Sequence, residues 1–194
     1  MKKKWMLFLL ALCVSLTACA SAPPERTADG LQWGSDWTTV GNLLGVEPKE
    51  GWTLSRSEDM LAASGTYYAA FIQGTPTTYE NEEGQEVTVY DAEIHLVLML
   101  SGDDAEKTAG QWRELVAERY PDAEQSTAEC TGKTVTISSY PFPAGNGPAT
   151  LGASASLVHG GAALEVDVIT LAEHPEKPAQ VLADFLSRCH FSQE

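Results

Sequence analysis

The chain has 194 residues, 43% of them hydrophobic, with 27 acidic against 12 basic residues and a formal net charge of −15. Such an excess of acid argues against nucleic acid as a partner, because affinity there rests on Lys and Arg neutralising phosphates. It also disfavours direct adhesion of the folded part to anionic lipid, and no repeat of about 20 to 50 residues marks a solenoid or propeller.

Met1 to Cys19 read as an export signal. Lys2, Lys3 and Lys4 form a basic start, Trp5 to Leu16 an apolar run, and Leu16-Thr17-Ala18-Cys19 a small-residue close. The run is about 12 residues, short of the roughly 20 that a transmembrane helix needs. Its close resembles the lipobox of bacterial lipoproteins. That resemblance implies removal of residues 1–18, diacylglycerol on the Cys19 thiol, and anchorage of the mature chain on the extracytoplasmic face of the cell membrane. The rival is an ordinary secretory signal cut after Ala18 or Ala20. Two acyl chains meet the requirement for stable anchoring. Losing three lysines and no acids takes the formal charge from −15 to −18, and such acidity suits a soluble exported domain. From Ala20 to Gly30 the chain is small, polar and proline-containing, a tether of at most about 40 Å.

Residues 31–194 are expected to form one domain. A short helix is predicted over 36–44, from a Ser35-Asp36 cap and Trp37, Val40, Leu43 and Leu44 at helical spacing, ending at Gly45 and Pro48. Gly51 to Ser55 reads as a strand, and Ser57 to Ala63 as a capped helical turn or irregular link. Thr66 to Gln73 and Val87 to Leu100 form a strand pair; in the second, Ala92, Ile94, Leu96, Leu98 and Leu100 make an apolar face and His95 marks where the other face turns from polar to apolar. That pattern suits a central strand. Between the two strands, Glu80 to Glu86 should project as an acidic hairpin tip.

A helix is predicted over about 103–120, with Asp103 and Asp104 at its positive end and Ala105, Ala109, Trp112, Leu115, Val116 and Tyr120 as its stripe. Strands 125–130 and 133–139 flank Thr131-Gly132, and Pro141 to Thr150 is a proline and glycine loop. Strands 151–158 and 162–171 flank His159-Gly160-Gly161. A last helix over about 178–189 starts at Pro178 and presents Val181, Leu182, Phe185, Leu186 and Cys189. The order predicts an α+β domain with a mainly antiparallel sheet packed with helices.

Cys13 leaves with the signal and Cys19 carries lipid, so the domain keeps Cys130 and Cys189. A disulfide between them would close a loop of almost 60 residues, worth up to about 4 kcal/mol. Two buried reduced thiols fit the spacing equally well. The Gly132 turn, the Gly160-Gly161 hairpin, and Leu182, Phe185 and Leu186 followed by Phe191-Ser192 resemble the Mog1/PsbP-like group over roughly residues 50–192. That resemblance implies a binding or assembly-assisting module without intrinsic catalysis and transfers no site residues.

No catalytic, cofactor or metal-ligating residues are assigned. His95, His159, His174 and His190 share no ligand spacing. Glu173-His174-Pro175-Glu176 reads as a solvated loop, the Glu80 to Glu86 tip lacks the acid alternation of an EF-hand, and Asp103-Asp104 reads as a helix start. Gly152-Ala153-Ser154-Ala155-Ser156 is no nucleophile elbow, and Gly145-Asn146-Gly147 lacks the third glycine of a dinucleotide loop. Trp33, Trp37 and Trp52 suit a core or surface anchor, or stacking on a sugar or peptide. The expected function is therefore a non-catalytic protein-binding or assembly module, held to the membrane through lipidated Cys19 and meeting an envelope protein partner. The alternatives are a small-ligand carrier or sensor, its pocket lined by loop 141–152 and the tryptophans, and an enzyme with an unrecognised site. Replacing the lipid-bearing thiol, Cys19→Ala, should abolish incorporation of labelled palmitate and move the chain from the membrane pellet to the soluble fraction; a pellet unchanged in both respects would refute the anchor.

Overall fold

The computed structural model describes residues 37–41, 43–61, 65–142 and 146–191. The signal over 1–18, Cys19, the tether and Trp33 lie outside them. Among the described residues, no helix is long and apolar enough to cross a membrane.

The frame is one seven-stranded antiparallel sheet in the order β3-β4-β7-β11-β10-β9-β8. Its strands are β3 (Trp52–Leu61), β4 (Thr66–Gln73), β7 (Ala92–Leu100), β8 (Glu124–Cys130), β9 (Lys133–Phe142), β10 (Thr150–His159) and β11 (Ala162–Leu171). The alternation read in 92–100 and 162–171 puts Ile94, Leu96 and Leu98 beside Val168, Val166 and Leu164, in direct register on one face. Helix α2 (Pro178–Ser187) covers that face with Val181, Leu182, Phe185 and Leu186. Each such side chain removed from water contributes about 1.5–3 kcal/mol.

Helix α1 (Ala105–Arg119), led by a 3-10 turn over Gly102–Asp104, lies on the opposite face. Ala105, Ala109 and Trp112 pack there on Ala163, Val97, Met99 and Val158. The α+β arrangement with a mainly antiparallel sheet is therefore present, with one helix on each face.

The helix bounds expected from the sequence need correction. The expected helix over 36–44 is a hairpin, β1 (Thr38–Val40) against β2 (Leu44–Val46). Its β-branched Thr38-Thr39-Val40 favour extended backbone. Gly41 makes the reversal at φ +59, with the Tyr67 ring 2.7 Å from where a Cβ would sit. The hairpin buries Val40, Leu43 and Leu44, the residues whose spacing had suggested a helix. Residues 57–61, expected as a helical turn or link, continue β3, because pairing with β4 from Ser57↔Ala69 to Leu61↔Thr66 overrides a weak local preference.

In α1 the stripe is shorter than expected. Leu115 is 41% exposed, while Tyr120 leaves the helix to stack on Tyr140 with centroids 3.8 Å apart. The C-terminal helix stops at Ser187. Cys189 belongs to β12 (Cys189–Phe191), which pairs with β2 and closes a three-stranded sheet β1-β2-β12.

The acidic segment forms a two-stranded hairpin of its own, β5 (Thr77–Glu80) and β6 (Glu86–Val89). Its tip is fixed internally, the Asn81 side-chain oxygen accepting from the backbone N–H of Glu83 at 3.0 Å and of Gln85 at 2.9 Å. Both tight turns read from the sequence are present, with registers Cys130↔Lys133 and His159↔Ala162.

Gly152 is needed for a close approach. A Cβ there would lie 2.5 Å from the Tyr140 ring, which is held by the Tyr120 stack and by a hydrogen bond between its hydroxyl and that of Ser154. Gly152→Ala should therefore cost about 1–3 kcal/mol in urea denaturation. Gly110→Ala within α1, where the nearest atom is an Arg113 terminal nitrogen at 3.8 Å, should be neutral or stabilising by up to ~1 kcal/mol. Equal effects would contradict the packing described.

Candidate functional site

A cleft of about 310 Å³ opens between α2 and the corner where β2 turns into β3. The corner is shaped by Pro48 and by Gly51 at φ +83, and Trp52 N–H donates to the Lys49 carbonyl at 3.2 Å. The floor is apolar: Trp52, Leu54, Phe71, Ile94, Val181 and Phe185. Val181 and Phe185 stand one turn apart on α2, and Phe185 meets Phe71 edge-on with centroids 5.4 Å apart. Leu54 is 41% exposed at the opening.

The mouth is charged. Lys49 Nζ lies 3.0 Å and Arg188 Nε 3.1 Å from the same oxygen, Asp184 Oδ2. Arg188 also donates through Nη1 to the Pro48 carbonyl at 3.3 Å, and its own carbonyl accepts from Glu47 N–H at 3.0 Å. These contacts tie the end of α2 to the corner. Burial pushes the Asp184 carboxyl upward, but hydrogen bonds and charge from Arg188 and Lys49 outweigh it and hold the group below the usual carboxylate range. With Glu47 also lining the mouth, two basic side chains, Lys49 and Arg188, stand beside two acidic ones, Asp184 and Glu47. Glu47, also on the rim, faces His190 at 3.6 Å. Trp52 keeps its indole N–H buried with no acceptor among the described residues, an omission that costs about 1–3 kcal/mol when nothing fills it.

The sheet face under α1 carries a second polar feature. Arg56, Ala70, His95, Asp167, Ser154, Ser138 and Gln125 stand in direct register across all seven strands. His95 is engaged at both nitrogens, Nδ1 with Tyr68 Oη at 2.7 Å and Nε2 with Glu93 Oε2 at 3.2 Å. The Ser154 hydroxyl donates to Asp167 Oδ1, and Gln125 and Ser138 exchange hydrogen bonds at the far end. Burial raises the pKa of Asp167. Burial first, and then the charge of Asp167, push Glu165 up to about 9. Ser154, Asp167 and His95 do not form a nucleophilic relay, because the serine bonds the acid directly and the histidine is committed to Tyr68 and Glu93.

Of the residues singled out in the sequence, Trp52 lines the cleft, whereas Trp37 meets the His190 ring at a tilt of 46°, centroids 5.0 Å apart. The described residues of loop 141–152, expected beside the tryptophans, do not line this cleft, and Gly147 lies under the Tyr79 ring. His174 Nδ1 bonds the Glu176 backbone, as befits a loop. Cys130 and Cys189 are free, buried thiols in one core cluster. Burial raises Cys130 to about 11 and Cys189 well above the usual thiol value, the latter raised further by Cys130. Among the described residues, no three His, Cys, Asp or Glu are placed to hold a metal ion. Sequence reasoning missed Lys49, Asp184 and Arg188. Their available signals were the scarcity of bases in an acidic chain and the i, i+4 spacing of Asp184 and Arg188 at a helix end.

No protein-family model and no curated protein sequence matches the chain. Among solved structures it is similar to a crystal structure from Bacteroides thetaiotaomicron VPI-5482 at 1.50 Å resolution, with a TM-score of 0.51 and 11% identity. The likeness covers 80% of this chain and 47% of that one, so this chain spans about half the length of that protein. At such identity it is a likeness of fold.

The carboxyl row makes stability depend on pH in a defined sense. Glu165 holds its proton more tightly folded than unfolded, so its contribution is fully present below the ordinary glutamate range and is lost as pH rises toward about 9. Glu165→Gln should flatten the fall in melting temperature between pH 5 and pH 9 and gain on the order of 1 kcal/mol at the alkaline end. An unchanged slope would show that Glu165 does not hold its proton in the folded chain.

Proposed function

We propose that the chain is a membrane-anchored, extracytoplasmic, non-catalytic binding or assembly module that engages an envelope protein through the cleft between α2 and β3. The observation that carries this reading is the cleft itself, which joins an apolar floor to a mouth bearing both signs of charge, Lys49 and Arg188 beside Asp184 and Glu47. Exposed Leu54 at its opening adds apolar surface to that site. The lipobox resemblance and the tether supply the location, and the Mog1/PsbP-like resemblance supports binding in place of catalysis. The rigid acidic hairpin is a second element suited to protein contact. A small-ligand carrier is the second reading, supported by the enclosed Trp52 N–H and by a cleft volume at the lower end of the ligand-pocket range.

Photo-crosslinking in intact cells of the native host tests this, with the lipid anchor kept and probes placed at Leu54 and, for comparison, at Glu82. A discrete protein adduct from Leu54 is expected. No protein adduct from Leu54 on a folded, anchored chain would overturn the use of the cleft for a protein partner, and an adduct from Glu82 alone would move the contact to the hairpin.

A further inference from the structure

The large sheet ends in two edge strands, β3 and β8, and no strand among the described residues pairs with the outer side of either. An edge strand presents unpaired backbone N–H and C=O groups, which folds normally blunt with bulges, Pro, Lys or a covering element. β3 is blunted, since its pairing with β4 shifts register twice. β8 is not. It pairs with β9 residue for residue from Glu124↔Ser139 to Cys130↔Lys133, holds neither Pro nor Lys, and carries charge only at Glu124 and Glu129. Two of its long side chains turn away from the edge: Glu129 accepts from the Thr134 hydroxyl at 2.7 Å, and Gln125 exchanges hydrogen bonds with Ser138, both on β9. On the other face Ala128 packs, only partly buried, against the core beneath α2. That helix touches β8 and turns Val181, Asp184 and Phe185 to the cleft. Its opposite flank, Ala179 and Ala183, therefore lies toward β8, and both alanines are only partly buried. These residues are small, so a strand added at this edge meets no bulky side chain there.

We propose that β8 pairs with β8 of a second copy of this chain, antiparallel about a two-fold axis at Thr127, so that the two seven-stranded sheets become one. The sequence of the strand selects that occupant. An axis at Thr127 sets Thr127 against itself, Ser126 against the partner's Ala128, Gln125 against the partner's Glu129 and Glu124 against the partner's Cys130. All seven residues are then paired, small side chains face small ones on the α2 side, and each glutamate stands opposite a neutral residue, as favourable cross-strand pairing requires. Moving the axis to lie between Ser126 and Thr127 would oppose Glu124 and Glu129 and put the two α2 helices on opposite faces. The net charge of −15 resists association, but the acidic β5–β6 hairpin joins β4 to β7, in the half of the sheet away from β8. Such repulsion is screened by salt, whereas backbone pairing is not. β8 is the opposite edge from β3, so both clefts stay open at the outer ends of the joined sheet and the pairing does not depend on what they bind.

The full lipidated chain tests this, by sedimentation in detergent and by disulfide trapping in intact cells. A dimer is expected, tightening severalfold as salt is raised. Thr127→Cys should trap it, because directly opposite residues of an antiparallel pair lie about 4.5–5.5 Å apart at Cα, within reach of a disulfide. Gln125→Cys and Glu129→Cys should cross-link when expressed together and not singly, which fixes the register. Thr127→Lys, at an exposed position, should keep the original melting temperature and weaken the dimer severalfold by opposing two lysines. A monomer throughout, a dimer indifferent to Thr127→Lys, no trapping by Thr127→Cys, trapping by Gln125→Cys alone as well as by the mixed pair, or a disulfide from position 127 to a different protein in place of the dimer would each overturn the proposal. A monomer leaves the Leu54 adduct as the test of the cleft, and loss of that adduct leaves the dimer untouched.

Discussion

Slipping β11 by one residue against β7 would exchange Leu164, Val166 and Val168 for Glu165, Asp167 and Ile169 on the face beneath α2. That register is the constraint on which the remainder of the domain depends. In the native pairing one face is continuous aliphatic surface over β7, β11 and β10, and the other carries the polar row. Two carboxyl groups facing α2 would have no hydrogen-bonding partner in that core, and losing the aliphatic row would strip the helix of its contacts. Register is therefore set by an energy of several buried side chains and needs no disulfide to fix it.

The same register explains why the polar face can be costly without being catalytic. Ser154, Tyr140 and Gly152 act together: the glycine admits the tyrosine ring, the ring brings its hydroxyl to Ser154, and Ser154 satisfies Asp167. Desolvated carboxyl groups are tolerable when they keep their protons and have hydroxyl partners. Here burial pushes both carboxyl groups toward their neutral forms, while the Ser154 hydroxyl supplies Asp167 with a donor. The two cations at the cleft mouth, Lys49 and Arg188, are by contrast both paired to Asp184, with Glu47 also on the rim.

What was legible in the sequence follows from which forces are local. Alternation over 92–100 and 162–171, the Thr131-Gly132 and Gly160-Gly161 turns and the apolar spacing after Pro178 each report a single element's exposure to one buried face, so they could be read directly. The 36–44 segment could not, because Trp37, Val40, Leu43 and Leu44 satisfy a helical spacing and a hairpin equally well, and pairing of β2 with β12 decides between them. The polar stretch 57–61 has little preference of its own, and β4 recruits it into an edge strand.

The cleft was the least legible feature, since its residues come from the corner near 47–54, from the middle of β4 and β7, and from the end of α2. Only the closure of the chain makes them neighbours. β12 pairs with β2, so the short run from Ser187 to Cys189 must pass from helix to strand beside the corner that leads into β3. Arg188 is the residue at that passage, which is why its side chain, backbone carbonyl and Asp184 partner all bear on the 47–49 turn. The small sheet that ends the chain is thus what holds the cleft open between α2 and β3. Any displacement of β12 from β2 would be felt first at Lys49, Asp184 and Arg188, so the site belongs to the part of the fold that is completed when the C-terminal strand is in place.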